Sequence, residues 1–299
     1  MNNFMFNINK SKEIKKKENM LKKHRCRSMN KNINIIENET SSEKNTAIFI
    51  TISNINLGKL IIINKLLQCD YDVVIGFDVQ YYKNKELLNK DILNFKNFIS
   101  IQLKSDINLF LSTSKVPLDN NVYKEKYGIK IDNYNGKWID NPAKLGCLEW
   151  FKNSDYTYFW YMEDDVYCKN MNVFLEPYKH DISDLICTID EYHIPEWYYR
   201  NWKVGNPSHG FDLSHLYIAR YSKQFVNNFF DFLSKTNTTS HHEIFIPYVL
   251  NYYHLTHNNL LKQHKTALYL NNHTTTKIFN FTTNNVNLKD SIIFHPFKI

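Results

Sequence analysis

The sequence predicts an α/β domain in which a mainly parallel central sheet is flanked by helices. Short apolar runs rich in β-branched and aromatic residues alternate with segments of helical periodicity, the pattern of a layered sheet. The first of these runs, Ala47–Ile52, is continuously apolar, which is typical of a strand buried on both faces. The 299 residues are 43% hydrophobic and 15% aromatic, which is enough for a sizeable core. We therefore expect one folded domain over residues 46–299.

The individual elements follow from the same patterns, taken in chain order. A helix over Asn56–Leu67 and a strand over Tyr71–Val79 complete a β-α-β unit with the first strand. The other strands are predicted at Phe98–Leu103, Tyr156–Met162, Asp184–Ile189 and Leu216–Ala219. Further helices are predicted at Pro142–Lys152, Asn172–Tyr178, Ser222–Ser234 and His242–His254, the first of which carries proline in its first turn. Residues 106–140 and 271–287 are polar and are expected to form irregular connections.

The positive charge of the chain belongs to its first 45 residues. Residues 1–45 contain eleven Lys and Arg against five Glu, a net +6, whereas the rest of the chain contributes only +1 to the total of +7. Residues 1–45 also contain too little apolar material to offset the entropy lost on ordering, and we therefore expect them to form a disordered basic arm. Such an arm can make weak contacts with an anionic surface. A nucleic-acid-binding protein acting through this arm therefore stays open as an alternative.

Several classes of protein lack their required motifs here. The chain has seven glycines, none with the spacing of a dinucleotide fingerprint, and the pair Gly205 and Gly210 is not followed by a Walker lysine. Rossmann dehydrogenases and P-loop ATPases are thereby excluded. The five cysteines include no C-x-x-C pair, which argues against a zinc cluster or disulfide scaffold. No apolar run reaches transmembrane length, so a soluble protein is expected. The odd number of cysteines favours a reducing compartment, so the expected location is the cytoplasm, or a host cytoplasm or virion if the protein is viral.

The most concentrated signal is a buried strand that ends in three acids. Tyr156–Met162 runs directly into Glu163, Asp164 and Asp165. Ligands of open α/β sheets bind at the carboxyl ends of strands, and adjacent carboxylates repel one another unless a cation offsets their charge. Hard oxygen ligands of this kind suit magnesium or manganese. The alternative is that Asp165 caps the following turn while its neighbours face water.

The segment Glu163-Asp164-Asp165-Val166, preceded by the helix that carries Lys144, resembles the motif of the GT-A fold glycosyltransferases. It is similar to the lipopolysaccharide and procollagen glycosyltransferases and to uncharacterised viral and algal relatives with E-x-D-V. The resemblance covers roughly residues 47–299. It implies a GT-A-like single domain and an enzyme, a hexosyltransferase, that uses Mn²⁺ or Mg²⁺. It also implies a nucleotide-sugar donor, with a UDP-sugar favoured, and a hydroxyl acceptor on a glycan or protein.

The resemblance also implies roles for the acids and for two later residues. Asp165 would bind the metal, Glu163 would contact the metal or the ribose, and Asp164 would lie beside them. His295, which follows a late apolar run, would supply a further metal ligand, unless it is a structural histidine. Glu243 would be the base that deprotonates the acceptor in an inverting enzyme, unless it only favours the dipole of its helix.

The nucleotide would contact residues that follow the first two strands. By the same resemblance, Thr51, Ser53 and Asp78 occupy the positions that hold the nucleoside, although Asp78 is also an ordinary loop residue. Lys144 would pair with phosphate, or else lie on a solvated helix face. Gly210 would form the loop under the donor sugar, or a plain turn.

A metal-dependent nucleotidyltransferase is the nearest alternative among enzymes. It too needs clustered acids at the edge of a sheet. Enzymes of that class normally use a glycine-rich phosphate loop, and the sequence shows none.

Overall fold

The computed structural model describes residues 46–102, 107–127, 142–191, 212–236, 242–260 and 293–294. Its main feature is a seven-stranded sheet with the order β3-β2-β1-β4-β7-β6-β8. The strands are β1 (Thr46–Ile52), β2 (Asp72–Asp78), β3 (Ser114–Leu118), β4 (Tyr158–Met162), β6 (Leu185–Glu191), β7 (Asp212–Ser222) and β8 (His257–Asn259). A separate two-stranded sheet pairs β5 (Tyr167–Cys168) with β9 (Ile293–Phe294).

Helices connect and cover these strands. They are α1 (Leu57–Leu66), α2 (Lys85–Asn94), α3 (Ile107–Ser112), α4 (Asn120–Lys126), α5 (Pro142–Lys152), α6 (Met171–Leu175), α7 (Lys223–Thr236) and α8 (His242–Tyr252). A short π-helical stretch covers Phe98–Gln102, and a 3₁₀ turn covers Glu176–Tyr178. Among the described residues, no helix is both long and apolar enough to cross a membrane.

The pairing of the strands confirms the predicted fold class. β1 is parallel to β2 and β4, β2 is parallel to β3, and β6 is parallel to β8. Only β7 runs the other way, between β4 and β6. The result is a mainly parallel sheet flanked by helices, in which β1, β2 and β4 end at the same edge.

Two apolar layers pack on the two faces of the sheet. Strand residues alternate between faces, so neighbours in one strand belong to different layers. One layer joins Trp160 and Met162 of β4 to the buried side of α1. The other joins Phe159 and Tyr161 of β4 to α5, α7 and α8. The helices α1 and α5 therefore cover opposite faces beside the same strand.

The third predicted strand is wrong. Phe98–Gln102 is π-helical rather than extended, and the strand at this place in the sheet is β3, within a stretch expected to be irregular. Apolar content misled the prediction, because β3 lies at the outer edge of the sheet and contains Lys115 and Pro117. Proline is tolerated on an edge strand, where its missing N–H breaks no ladder.

Lys115 is buried for a structural reason. Its ammonium group donates to the carbonyl oxygens of Phe110 (2.8 Å), Leu111 (3.0 Å) and Thr113 (2.8 Å), at the end of α3. The Phe110 and Leu111 carbonyls belong to the last turn of this helix, where no intrahelical donor reaches them, and Thr113 follows the helix. Burial, with a smaller effect from the charge of Lys85, lowers the pKa of Lys115 to about 8.

The remaining predicted elements lie close to their expected positions. The strand predicted at Leu216–Ala219 is longer, since β7 covers eleven residues. The sequence did not predict β5, β8 or the helices α2, α3 and α4, the last two of which lie in the stretch expected to be irregular. The basic arm of residues 1–45 and the connection 271–287 lie outside the described residues.

Candidate functional site

The candidate site lies where β1, β2 and β4 end. Thr51 is the next-to-last residue of β1, Ser53 follows that strand, Asp78 ends β2, and Glu163 follows β4. Because these strands are parallel neighbours, their carboxyl ends meet at one edge of the sheet. The structure thus brings the predicted nucleoside residues and the predicted acids to the same edge.

The three acids form a tight turn, here called the acidic turn (Glu163–Val166). The Glu163 N–H donates to the Tyr217 carbonyl oxygen at 3.0 Å, which extends the pairing of β4 with β7 by one residue. The Val166 N–H then donates to the Glu163 carbonyl oxygen at 3.2 Å and closes the turn. Val166 is fully buried and anchors it. Asp164 and Asp165 therefore occupy the two central positions of the turn, at the rim of the sheet.

Lys144 is buried, so the expectation of a solvated helix face is wrong. Only 5% of the residue is exposed. Its ammonium group lies 3.1 Å from the Glu163 Oε1, donates to the Leu216 carbonyl oxygen at 3.2 Å, and sits 4.9 Å from the centre of the Tyr161 ring. Lys144 therefore compensates the charge of Glu163 in the structure.

A second lysine, Lys59, was missed by the sequence analysis. It stands in the first turn of α1, and its ammonium group forms an ion pair with the Asp164 Oδ2. The same group donates to the Ser53 Oγ at 3.0 Å and to the Asn54 Oδ1 at 2.8 Å. The signal for it was present: Asn56 is an N-cap residue just past β1, so the first turn of α1 had to lie at the edge where the strands end.

A hydrogen bond across the sheet fixes the end of β1. The Thr51 Oγ1 and the Tyr161 hydroxyl lie 3.2 Å apart. Burial raises the pKa of Tyr161 well above its usual value, and the negative charge of Glu163 raises it further. Tyr161 therefore stays neutral at physiological pH and joins β1 to β4 beside the acidic turn.

Asp78 holds a local turn at the end of β2. Its carboxylate accepts a hydrogen bond from the Gln80 N–H at 2.8 Å, and its carbonyl oxygen accepts from the N–H groups of Tyr81 (3.1 Å) and Tyr82 (2.9 Å). The Tyr82 hydroxyl in turn accepts from the Ile55 N–H at 2.7 Å. These contacts tie the segment after β2 to the segment after β1.

Of the three predicted site residues that follow β6, the structure describes only Glu243. Glu243 is half-buried in the first turn of α8, which packs with α7 on the α5 side of the sheet. Gly210 and His295 lie outside the described residues. β9 ends at Phe294, and Phe294 is paired with Tyr167. Tyr167 follows Asp165 by two residues in the chain.

Two further acids end a strand at the same edge. Asp190 and Glu191 are the last residues of β6, which runs in the same direction as β4. The predicted strand ended at Ile189, so these two acids had no predicted role. Their position makes them neighbours of the candidate site by topology.

The donor chemistry of the acidic turn fits a hard divalent cation. Carboxylate oxygens are the ligands that magnesium and manganese prefer. Within the described ranges, no group of three His, Cys, Asp or Glu side chains is arranged to hold a metal ion. The three acids of the turn and the two lysines together carry a formal charge of −1, because Lys59 and Lys144 compensate two of the acids.

Comparisons with known proteins give structural similarity alone. No protein-family model matches the chain, and no curated protein matches it either. The galactosyltransferase LgtC, solved with donor and acceptor sugar analogs, is similar with a TM-score of 0.46 and 9% identity, over 83% of this chain and 86% of that one. An active-site mutant of LgtC is similar with a TM-score of 0.47 and 8% identity, over 85% and 88%.

A third solved structure belongs to a nucleotidyltransferase class. A Bacillus anthracis protein assigned as a glucose-1-phosphate thymidylyltransferase, in complex with a sucrose, has a TM-score of 0.38 and 12% identity, over 72% of this chain and 87% of that one. Each of these three TM-scores is below 0.5.

Proposed function

We propose that the protein is a metal-dependent glycosyltransferase that moves a sugar from a nucleotide-diphosphate sugar to a hydroxyl group of a glycan or protein. The observation that carries the proposal is the acidic turn at the carboxyl end of β4, with a lysine from each flanking helix beside it, the buried Lys144 and the partly buried Lys59. Carboxylates and ammonium groups at one sheet edge suit a ligand that combines a cation with phosphates.

In this proposal Asp165 and Glu163 hold the cation, Mn²⁺ or Mg²⁺. A cation bound there would offset the negative charge that grows on the diphosphate as the sugar leaves. Asp164 lies beside them in the turn. Phe294, the last residue of β9, pairs with Tyr167, which is two residues after Asp165. Because His295 directly follows Phe294 in the chain, we propose it as an additional ligand.

The nucleoside would lie against the ends of β1 and β2, where Thr51, Ser53 and Asp78 are located. The Thr51 side chain contacts the Tyr161 hydroxyl, the Ser53 hydroxyl accepts from Lys59, and Asp78 holds the turn that follows β2. Lys144 is the buried cation nearest Glu163 and is proposed to face the diphosphate from the α5 side. Gly210 is proposed to line the space under the donor sugar.

Glu243 is the proposed general base. A base must take the proton of the acceptor hydroxyl as the new bond to the sugar forms. Its place in the first turn of α8, half-buried, is compatible with an acid that meets an acceptor rather than the core.

The metal role is tested by Asp165→Asn, which removes a carboxylate charge and keeps the shape of the side chain. We expect Mn²⁺-dependent binding of the donor nucleotide to weaken by about 100-fold, since loss even of groups that only support metal ligands costs about 10- to 100-fold. Calorimetric titration of the full chain with UDP and Mn²⁺ measures this. Asp155→Asn is the matched control, because Asp155 is an exposed acid before the start of β4, at the opposite edge of the sheet.

The donor class is tested by a screen of UDP-, GDP- and CMP-sugars for Mn²⁺-dependent hydrolysis. Release of nucleotide from one of them supports sugar transfer. Release of pyrophosphate from a nucleoside triphosphate and a sugar phosphate would instead establish a nucleotidyltransferase. Binding of UDP that Asp165→Asn leaves unchanged would remove Asp165 from the metal site.

A further inference from the structure

Lys59 makes three polar contacts that join two strand ends. Its ammonium group has three N–H donors, and the Ser53 Oγ, the Asn54 Oδ1 and the Asp164 Oδ2 are three acceptors for them. Only 12% of the side chain is exposed. A lysine in this setting is fixed in place rather than swinging in water, so its position is part of the architecture of the site.

The alternation of β4 explains why two lysines are needed. Glu163 continues the face of Phe159 and Tyr161, which α5 covers, whereas Asp164 continues the opposite face, which α1 covers. Lys144 of α5 therefore meets Glu163, and Lys59 of α1 meets Asp164. Each acid is held from its own side of the sheet.

We propose that Lys59 is a positioning residue, which holds Asp164 toward α1 and sets the charge that the acidic turn presents to a divalent cation. This inference rests on the proposed function. Without Lys59 the formal charge of the acids and lysines would change from −1 to −2, and Asp164 would lose the ion pair that holds it toward α1. The cation would then be bound more tightly and with a different set of oxygens.

The expected change in cation affinity on removing Lys59 is opposite in sign to the change expected on removing a residue that only supports the fold. A residue that only supports the fold weakens cation binding when it is removed, because the ligands become less ordered. Removing a positive charge beside the acids strengthens the attraction of a divalent ion. One unit charge about 6–8 Å from such an ion changes its affinity by roughly fivefold to tenfold when the interaction is screened as in water.

The test is a calorimetric titration of the full chain with Mn²⁺ alone. Lys59→Met is expected to bind Mn²⁺ about fivefold to tenfold more tightly than the unmodified protein. Asp164→Asn is expected to bind it more weakly by a similar factor, and the double variant is expected to return near the original affinity. Thermal unfolding of each variant without metal establishes that it is folded.

Lys65→Met is the matched control, since Lys65 is in the last turn of the same helix and its loss changes the net charge equally. It should leave Mn²⁺ affinity within about twofold. Weaker binding by a folded Lys59→Met, no change, or an equal effect of Lys65→Met would each overturn the proposal, as would absence of Mn²⁺ binding in every protein. If no sugar donor is hydrolysed but Lys59→Met still binds Mn²⁺ more tightly and Asp164→Asn more weakly, only the proposed glycosyltransferase activity would be rejected.

Discussion

The ion pair of Lys144 with Glu163 gives a quantitative test of how the site is held. The pair joins a lysine with 6% side-chain exposure to a glutamate with 30%, at 3.1 Å. Breaking a fully buried pair costs about 3–5 kcal/mol, and an exposed pair contributes about 0–1 kcal/mol. Because Glu163 can be partly rehydrated, we expect a coupling energy between these values, about 1–2 kcal/mol.

The single variants should differ in cost. Lys144→Met also removes a hydrogen bond to the Leu216 carbonyl oxygen and a contact with the Tyr161 ring, so we expect it to lower the free energy of unfolding by about 3 kcal/mol. Glu163→Gln keeps the shape and an acceptor oxygen and should cost about 1 kcal/mol. Urea unfolding of the full chain, the two variants and the double variant yields the coupling energy.

The control cycle uses Lys126 and Glu149, a Lys–Glu pair between α4 and α5 in which the lysine side chain is 50% exposed. Its coupling energy should not exceed about 0.5 kcal/mol, as is typical of surface pairs. A Lys144–Glu163 coupling no larger than this control would refute the reasoning, because it would mean that burial of Lys144 does not strengthen its attraction to Glu163.

Two further predictions concern the chemistry and the packing. Glu243→Gln should lower sugar transfer by about 100-fold or more while donor binding is unchanged, since a general base contributes about 10² to 10⁴ in rate; a single-turnover assay with full transfer would reject it. Gly146→Ala should destabilise the protein by about 1–3 kcal/mol, because the added Cβ would lie 2.8 Å from the Tyr123 Cζ and 3.0 Å from the Leu118 Cδ2. A gain of about 1 kcal/mol, as expected from helix propensity alone, would contradict this clash.

The apolar strands and the acidic turn could be predicted because their signals are local. Ala47–Ile52 and Tyr156–Met162 are runs of strand formers, and the order of residues alone places the acids after β4. The helices α1 and α5 were likewise visible from their periodicity and their first turns.

What the sequence could not show depends on partners far along the chain. β3 is stabilised by Lys115, whose three acceptors lie at the end of α3. Because these acceptors cannot be seen in the sequence, a charged residue at this position favours the prediction of a loop. The burial of Lys144 depends on Leu216, which is 72 residues away. Lys59 is identified as part of the site only once α1 and β4 are seen to be neighbours.

The antiparallel strand β7 has a part in the site although it contributes no predicted ligand. Its Tyr217 carbonyl oxygen accepts the hydrogen bond from the Glu163 N–H, and its Leu216 carbonyl oxygen accepts from Lys144. Consecutive carbonyl groups of one strand point to opposite sides, so one of them fixes the backbone of the acidic turn and the other fixes the lysine that compensates it. β7 pairs with β6 at Arg220 and again at His215, with a register shift between them. Both contacts of β7 with the site use its backbone carbonyl groups, so the acids of the turn can be substituted without loss of these acceptors.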